Sequence, residues 1–130
     1  DFERPIKGPK GEFKGALSAT FHPAPFAKAL LDRIDTTGST RFFLLQLDGL
    51  VLYSNHLKEI GIDITRTPLY KADAEIQNTV KKILAEPKGV INGRHFMGKE
   101  ATENQRRRIY WTTVELHGTQ WRLGFADPIL

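Results

Sequence analysis

Apolar and polar positions alternate, run together or recur at helical spacing along the chain, and each pattern predicts an element. Residues 42–47, "FFLLQL", are nearly continuously apolar, as expected of a strand covered on both faces. They run into Asp48-Gly49 and a second apolar stretch over 50–54. Asp-Gly is a strong two-residue hairpin signal, because a type I′ turn needs positive φ at both central positions. In "HPAPFAKALLDRID", Phe26, Ala27, Leu30, Leu31 and Ile34 recur at helical spacing and predict one buried stripe. Pro23 and Pro25 suit the entry of that helix, where a missing N–H costs nothing. A second amphipathic helix is predicted over "ADAEIQNTVKKILAEP". Asp73 serves as its N-cap, Ile76, Val80, Ile83 and Leu84 as its buried side, and Glu86-Pro87 ends it.

The remaining pattern reads as strands. "GPKGEFKGALSATF" is a turn followed by a strand over 12–21, and three more strands are predicted over 89–97, 107–116 and 120–126. "GKEATENQR" and "HGT" are their turns, and the tightness of "HGT" makes the last two strands an antiparallel hairpin. "HLKEIGIDITRTPLY" is an irregular connection. Strands joined by short turns, with helices laid across them, predict an α+β fold built on an antiparallel sheet of about five strands.

Composition narrows the class. A chain of 130 residues makes one ordinary domain, and 40% apolar with 26% charged residues is normal for a globular protein. The net charge of +4 is mild: it suits acidic ligands or a membrane surface, but a charge of this size more often serves solubility alone. The absence of cysteine excludes disulfides, thiolate catalysis, cysteine-ligated zinc and covalent flavin adducts. No apolar run approaches the roughly 18–20 residues that span a bilayer, and no signal peptide is visible. The sequence opens on "DFERPIKGPKGEF" without a methionine, as a piece of something longer, so any membrane anchor is expected in segments absent from this chain. There is no Gly-x-Ser-x-Gly, no phosphate loop and no recognisable pair of carboxylates, which favours a binding module over an enzyme.

The order of elements, with "GEFKGALSATFHPAPFAKAL", "FFLLQLDGLVLYSN", "EIGIDI", "EPKGVING" and "RRIYWTTVELHGTQWRLGFADP", resembles the extracytoplasmic PAS-like sensor domains called Cache domains. The resemblance runs over nearly the whole chain. It implies a ligand-sensing module outside the cytoplasmic membrane, with a PAS-like central sheet flanked by helices. Such a module belongs to a histidine kinase of a two-component system, a chemoreceptor or a diguanylate cyclase, with the full-length receptor a homodimer. The implied division is a PAS-like core over 40–128, with the strand and helix of 1–36 suiting the tail of a membrane-distal module. The implied place is the periplasmic side of an inner-membrane protein.

Five residues are candidates for a ligand site. Tyr53 closes the strand after Asp48-Gly49, where a PAS-like fold delivers it to the pocket mouth; the bland alternative is edge packing, with Ser54 and Asn55 in a turn. In "QRRRIYWTTVEL", alternation puts Arg108, Tyr110, Thr112 and Val114 on one face and Arg107, Ile109, Trp111 and Thr113 on the other. Arg106 and Arg107 are expected at an exposed strand start. Arg108 beside Tyr110 suits a carboxylate, since the planar guanidinium fork donates two parallel hydrogen bonds. The same stretch as a nucleic-acid surface is the weaker option, and no nucleic acid is expected. Arg94 is placed to supply a second cation, with His95 on the opposite face. Tyr70 suits a lid over the pocket, or equally a plug at the base of the second helix. Trp121 reads as core. The four histidines show no metal-ligand spacing, and neither metal nor cofactor is expected.

The expected guest is therefore a small, carboxylate-bearing molecule such as an organic acid or amino acid. Two rivals remain: a cytoplasmic PAS domain that binds a cofactor or serves as a dimerisation platform, and a pocketless Cache spacer.

Overall fold

The structure, a computed structural model, describes residues 2–20, 22–34, 39–94, 96 and 106–129. The chain begins with a hairpin of β1 (Phe2–Lys7) and β2 (Phe13–Ala19), which forms a two-stranded sheet of its own. After α1 (Pro23–Leu31) come β3 (Arg41–Gln46) and β4 (Val51–Ser54). Two single 3-10 turns, Leu57–Glu59 and Ile64–Arg66, lead to α2 (Pro68–Ala72) and α3 (Ala74–Ala85). A meander of β5 (Lys88–Arg94), β6 (Arg106–Leu116) and β7 (Thr119–Pro128) follows. The main sheet has five strands in the order β4-β3-β7-β6-β5, all antiparallel. The α+β architecture with a five-stranded antiparallel sheet agrees with the pattern in the sequence.

β3 lies inside the sheet with Phe42, Phe43, Leu44 and Leu45 all buried, because both of its faces are covered. Phe43 and Leu45 join Val51, Ile109 and Trp111 on the side packed by α3, which contributes Ile76, Val80 and Ile83. Burying each such side chain contributes about 1.5–3 kcal/mol. Ile64, Phe96 and the half-buried Leu69 and Tyr70 complete this side. The sheltered space between sheet, α3 and the long connection is thus filled by the protein's own side chains. On the other side, α1 lays Ala27 against Leu44 and Tyr53, with Ala24, Leu31, Leu123 and Trp121 around them.

Caps agree with the sequence where the residue types are diagnostic. Asp73 Oδ1 accepts hydrogen bonds from the backbone N–H groups of Glu75 and Ile76, which have no partner within the helix. At the other end of α3, the buried guanidinium of Arg122 donates to the carbonyls of Ile83 and Leu84 and to Thr113 Oγ1.

Several expectations need correction. β1 has no counterpart in the predicted strands, since "FERPIK" carries a proline and three charges and only two apolar side chains besides. The Asp48-Gly49 hairpin is not a type I′ turn, because Gly49 has positive φ and Asp48 does not. The loop holds three residues: the Gly49 amide donates to the Gln46 carbonyl and the Gln46 amide to the Leu50 carbonyl. That is the form in which a glycine alone takes the left-handed position. The two-positive-φ turn is instead at His117 (φ 50°) and Gly118 (φ 82°), between β6 and β7. The buried stripe of α1 is narrower than predicted: the helix ends at Leu31, and Phe26 and Ile34 are exposed. Arg107 is buried rather than at an exposed strand start, donating to the carbonyls of Ser39 and Ala126. The predicted strand ends at Phe21 and Met97, His95 and most of the "GKEATENQR" turn lie outside the described residues.

Candidate functional site

Antiparallel register turns the face under α1 into ordered rows. Phe42 of β3 stands opposite Phe125 of β7, and Phe125 stands opposite Tyr110 of β6. The Tyr110 and Phe125 rings stack at 4.8 Å with a 20° interplanar angle, and Phe42 meets Phe125 at 6.1 Å, tilted by 41°. One row toward the hairpin turn, Leu44, Leu123 and Thr112 are aligned; one row the other way, Asp127 faces Arg108, which faces Asn92. Directly opposite pairs of this kind are in contact range.

Because α1 ends at Leu31, it covers the Leu44–Tyr53 part of this face and leaves the aromatic row with a roof only at one edge. The result is a cavity of about 540 Å³ between the sheet and the α1 end. Its floor is Phe42, Tyr110, Phe125, Thr112 and Leu123; its roof is Leu31 and Ile34; Thr40 and Asp127 stand at one side. The volume is in the range of small-molecule sites, as is the mixture of apolar walls with few polar groups. Asp127 Oδ1 accepts a 2.5 Å hydrogen bond from Thr40 Oγ1.

The five sequence candidates do not converge. Tyr110 lines the cavity. Arg108 lies one row away with its Nε donating to Asn92 Oδ1 at 3.1 Å, and is not in the wall. Tyr53 is buried under α1 against Leu44, next to the cavity but outside its lining. Burial raises its phenol above the ordinary 10.0, the Asp32 carboxylate adds to the rise, and Lys28 opposes it. Arg94 is ion-paired with Asp73 at the start of α3 and does not line the cavity. Tyr70 sits on α2 and packs against the core on the α3 side, the plug rather than the lid. Ser54 and Asn55 tie down the end of β4: Ser54 Oγ donates to the buried Glu59, and the Asn55 side chain bonds Phe42 N and Thr40 O. Trp121 is half-buried at the edge of the α1 cluster, whereas Trp111 is in the core with its Nε1 donating to the Glu86 carbonyl.

Asp127, Phe125, Thr40 and the α1 end escaped the sequence reading. A signal for two of them was available: centring the last hairpin on His117-Gly118 places Phe125 opposite Tyr110 and Asp127 opposite Arg108. Among the described residues no group of three or more histidines, aspartates and glutamates could hold a metal ion, and no helix is long and apolar enough to cross a membrane.

No protein-family model and no curated protein matches the chain. Solved structures do. An extracellular ligand binding receptor from Desulfohalobium retbaense matches at TM-score 0.65 and 24% identity over 96% of this chain. The periplasmic sensory domain of the Campylobacter jejuni chemoreceptor Tlp1 matches at TM-score 0.71 and 18% identity over 97% of it. The PAS domain of an HTR-like protein from Haloarcula marismortui matches at TM-score 0.54 and 14% identity over 81%. The chain spans 19%, 41% and 93% of these structures respectively. It has the PAS-like fold shared by extracytoplasmic sensor domains.

Proposed function

We propose that this chain is an extracytoplasmic sensing module of a membrane-bound signalling protein, such as a histidine kinase, chemoreceptor or diguanylate cyclase. It is a binding module, not a catalyst, and holds a small molecule in the cavity beside the end of α1. The observation that carries this reading is the cavity itself, about 540 Å³ walled by Phe42, Tyr110 and Phe125 and roofed by Leu31 and Ile34. The periplasmic and extracellular sensors that share the fold support the setting. A guest that fits one placement of α1 better than another shifts the population toward it. β7 supplies Leu123, Phe125 and Asp127 to the wall, so it is the strand that carries the change onward.

The carboxylate expected from the sequence is not part of this proposal. It depends on Arg108, whose Nε is engaged with Asn92 outside the wall. The division is kept as a proposal for the β1–β2 hairpin alone, because α1 packs on the main sheet: the hairpin forms a sheet of its own, with Ile6, Phe13 and Leu17 exposed. A lone two-stranded hairpin is marginal in water, which supports its assignment to a neighbouring, membrane-distal module.

A thermal-shift screen with amino acids, organic acids and amines tests the sensing function. A true guest at 100 times its Kd adds about 2.7 kcal/mol of stability. Silence from every class favours the second reading, a spacer module, which the solid packing between α3 and the sheet supports.

A further inference from the structure

We infer that the cavity selects a cation: a protonated organic amine with an apolar body. The inference rests on the sensing function proposed above and assigns the chemical class of the guest. Its first ground is charge. Among the described residues, the charged group in the wall is the Asp127 carboxylate, half-buried, holding one hydrogen bond from Thr40 and no ion pair. A carboxylate with spare acceptor capacity at an apolar wall is stabilised by a charged N–H donor. Arg108 and Lys88 lie on the same face of the sheet, but neither lines the cavity, and Arg108 is engaged with Asn92.

The second ground is the floor. Phe42, Phe125 and Tyr110 form a continuous aromatic row across β3, β7 and β6, and Asp127 is two residues along β7 from Phe125 on the same face. The Tyr110 and Phe125 rings stack on each other, so the row offers the body of the guest an apolar wall. An anionic head beside this wall meets the Asp127 charge. The wall takes the apolar body and the carboxylate selects the sign of the head.

Three probes with one body and different heads test this: 2-phenylethylamine, 2-phenylethanol and 3-phenylpropionate, titrated calorimetrically at pH 7. The amine is expected to bind at least about tenfold more tightly than either of the others. Asp127→Asn, which keeps an oxygen for the Thr40 hydroxyl, should remove most of that preference and leave phenylethanol unchanged. Arg108→Ala should tighten the amine by relieving like charge, whereas a guest carboxylate at Arg108 would be weakened. Equal or tighter binding of phenylpropionate, or an amine indifferent to Asp127→Asn, overturns the cation assignment while leaving the cavity as a binding site. Failure of all three probes at millimolar concentration, with the protein folded, overturns the cavity reading as well.

Discussion

Tyr110 and Phe125 face each other across the β6–β7 hairpin with their rings stacked 4.8 Å apart, and this pair is the floor of the cavity. Phe125 also meets Phe42, so it is the middle of the row. Phe125→Ala removes both ring contacts and is expected to cost about 3 kcal/mol. Tyr110→Ala loses one stacking partner on a half-buried side chain, so about 1 kcal/mol is expected. Urea unfolding of the two variants gives the order directly. A larger loss for Tyr110→Ala would mean that the row is not organised around Phe125.

Arg122 holds the C-terminal end of α3 against the sheet through the carbonyls of Ile83 and Leu84. Truncation to Ala strands those acceptors and empties a buried site, so a loss of about 3–5 kcal/mol is expected in denaturant unfolding. Arg122→Lys should recover only part of it, because an ammonium cannot reproduce the planar fork that serves two carbonyls and Thr113 together. Full recovery by lysine would show that charge, not geometry, matters at this position.

Tyr110 and Arg122 mark where the sequence was legible and where it was not. Alternation along β6 correctly separated Tyr110 from Trp111, and helical spacing found Ile76, Val80 and Ile83, because burial repeats at the period of the element. Asp73 was legible as a cap because its contacts are two and three residues away. Arg122 was not: its partners lie 38 and 39 residues back in the chain, and only the packing of α3 brings them near. The cavity was invisible for the same reason. It exists because α1 stops at Leu31, while the apolar spacing runs on to Ile34 and predicts a longer cover. Tyr70 and Arg94 do not line it: Tyr70 packs into the core on the α3 side, and Arg94 pairs with Asp73.

Gly124 sits in β7 where a Cβ would come within 2.2 Å of Phe43 Cζ and 2.5 Å of the Tyr110 carbonyl oxygen. Phe43 is fully buried and the carbonyl is backbone of the neighbouring strand, so neither can step aside cheaply. Gly124→Ala is expected to destabilise by about 2–3 kcal/mol through overpacking. Gly118→Ala at the hairpin tip meets no atom within 4 Å and strains only its φ of 82°, for a cost of about 1–2 kcal/mol. Thermal melts of the pair separate crowding from backbone strain. A Gly124→Ala protein as stable as the parent would show that β7 can move away from β3.

Tyr53 gives the fold a dependence on alkaline pH. Burial against Leu44 and Ala27 disfavours its phenolate, with the Asp32 charge acting in the same direction, so its folded pKa is above the ordinary 10.0. Between the unfolded and folded values the native state binds more protons than the unfolded one, and stability therefore falls as pH rises. The contribution is fully present below pH 10 and is lost as pH climbs through the folded value. Tyr53→Phe keeps the ring and removes the titration. Its stability should track the parent's up to about pH 10 and then decline less steeply. Urea midpoints taken at intervals through the alkaline range provide the comparison. Parallel decline of the two proteins would show that Tyr53 reaches water in the native state, and that α1 does not close over β4 as tightly as the packing of Ala27 and Tyr53 indicates.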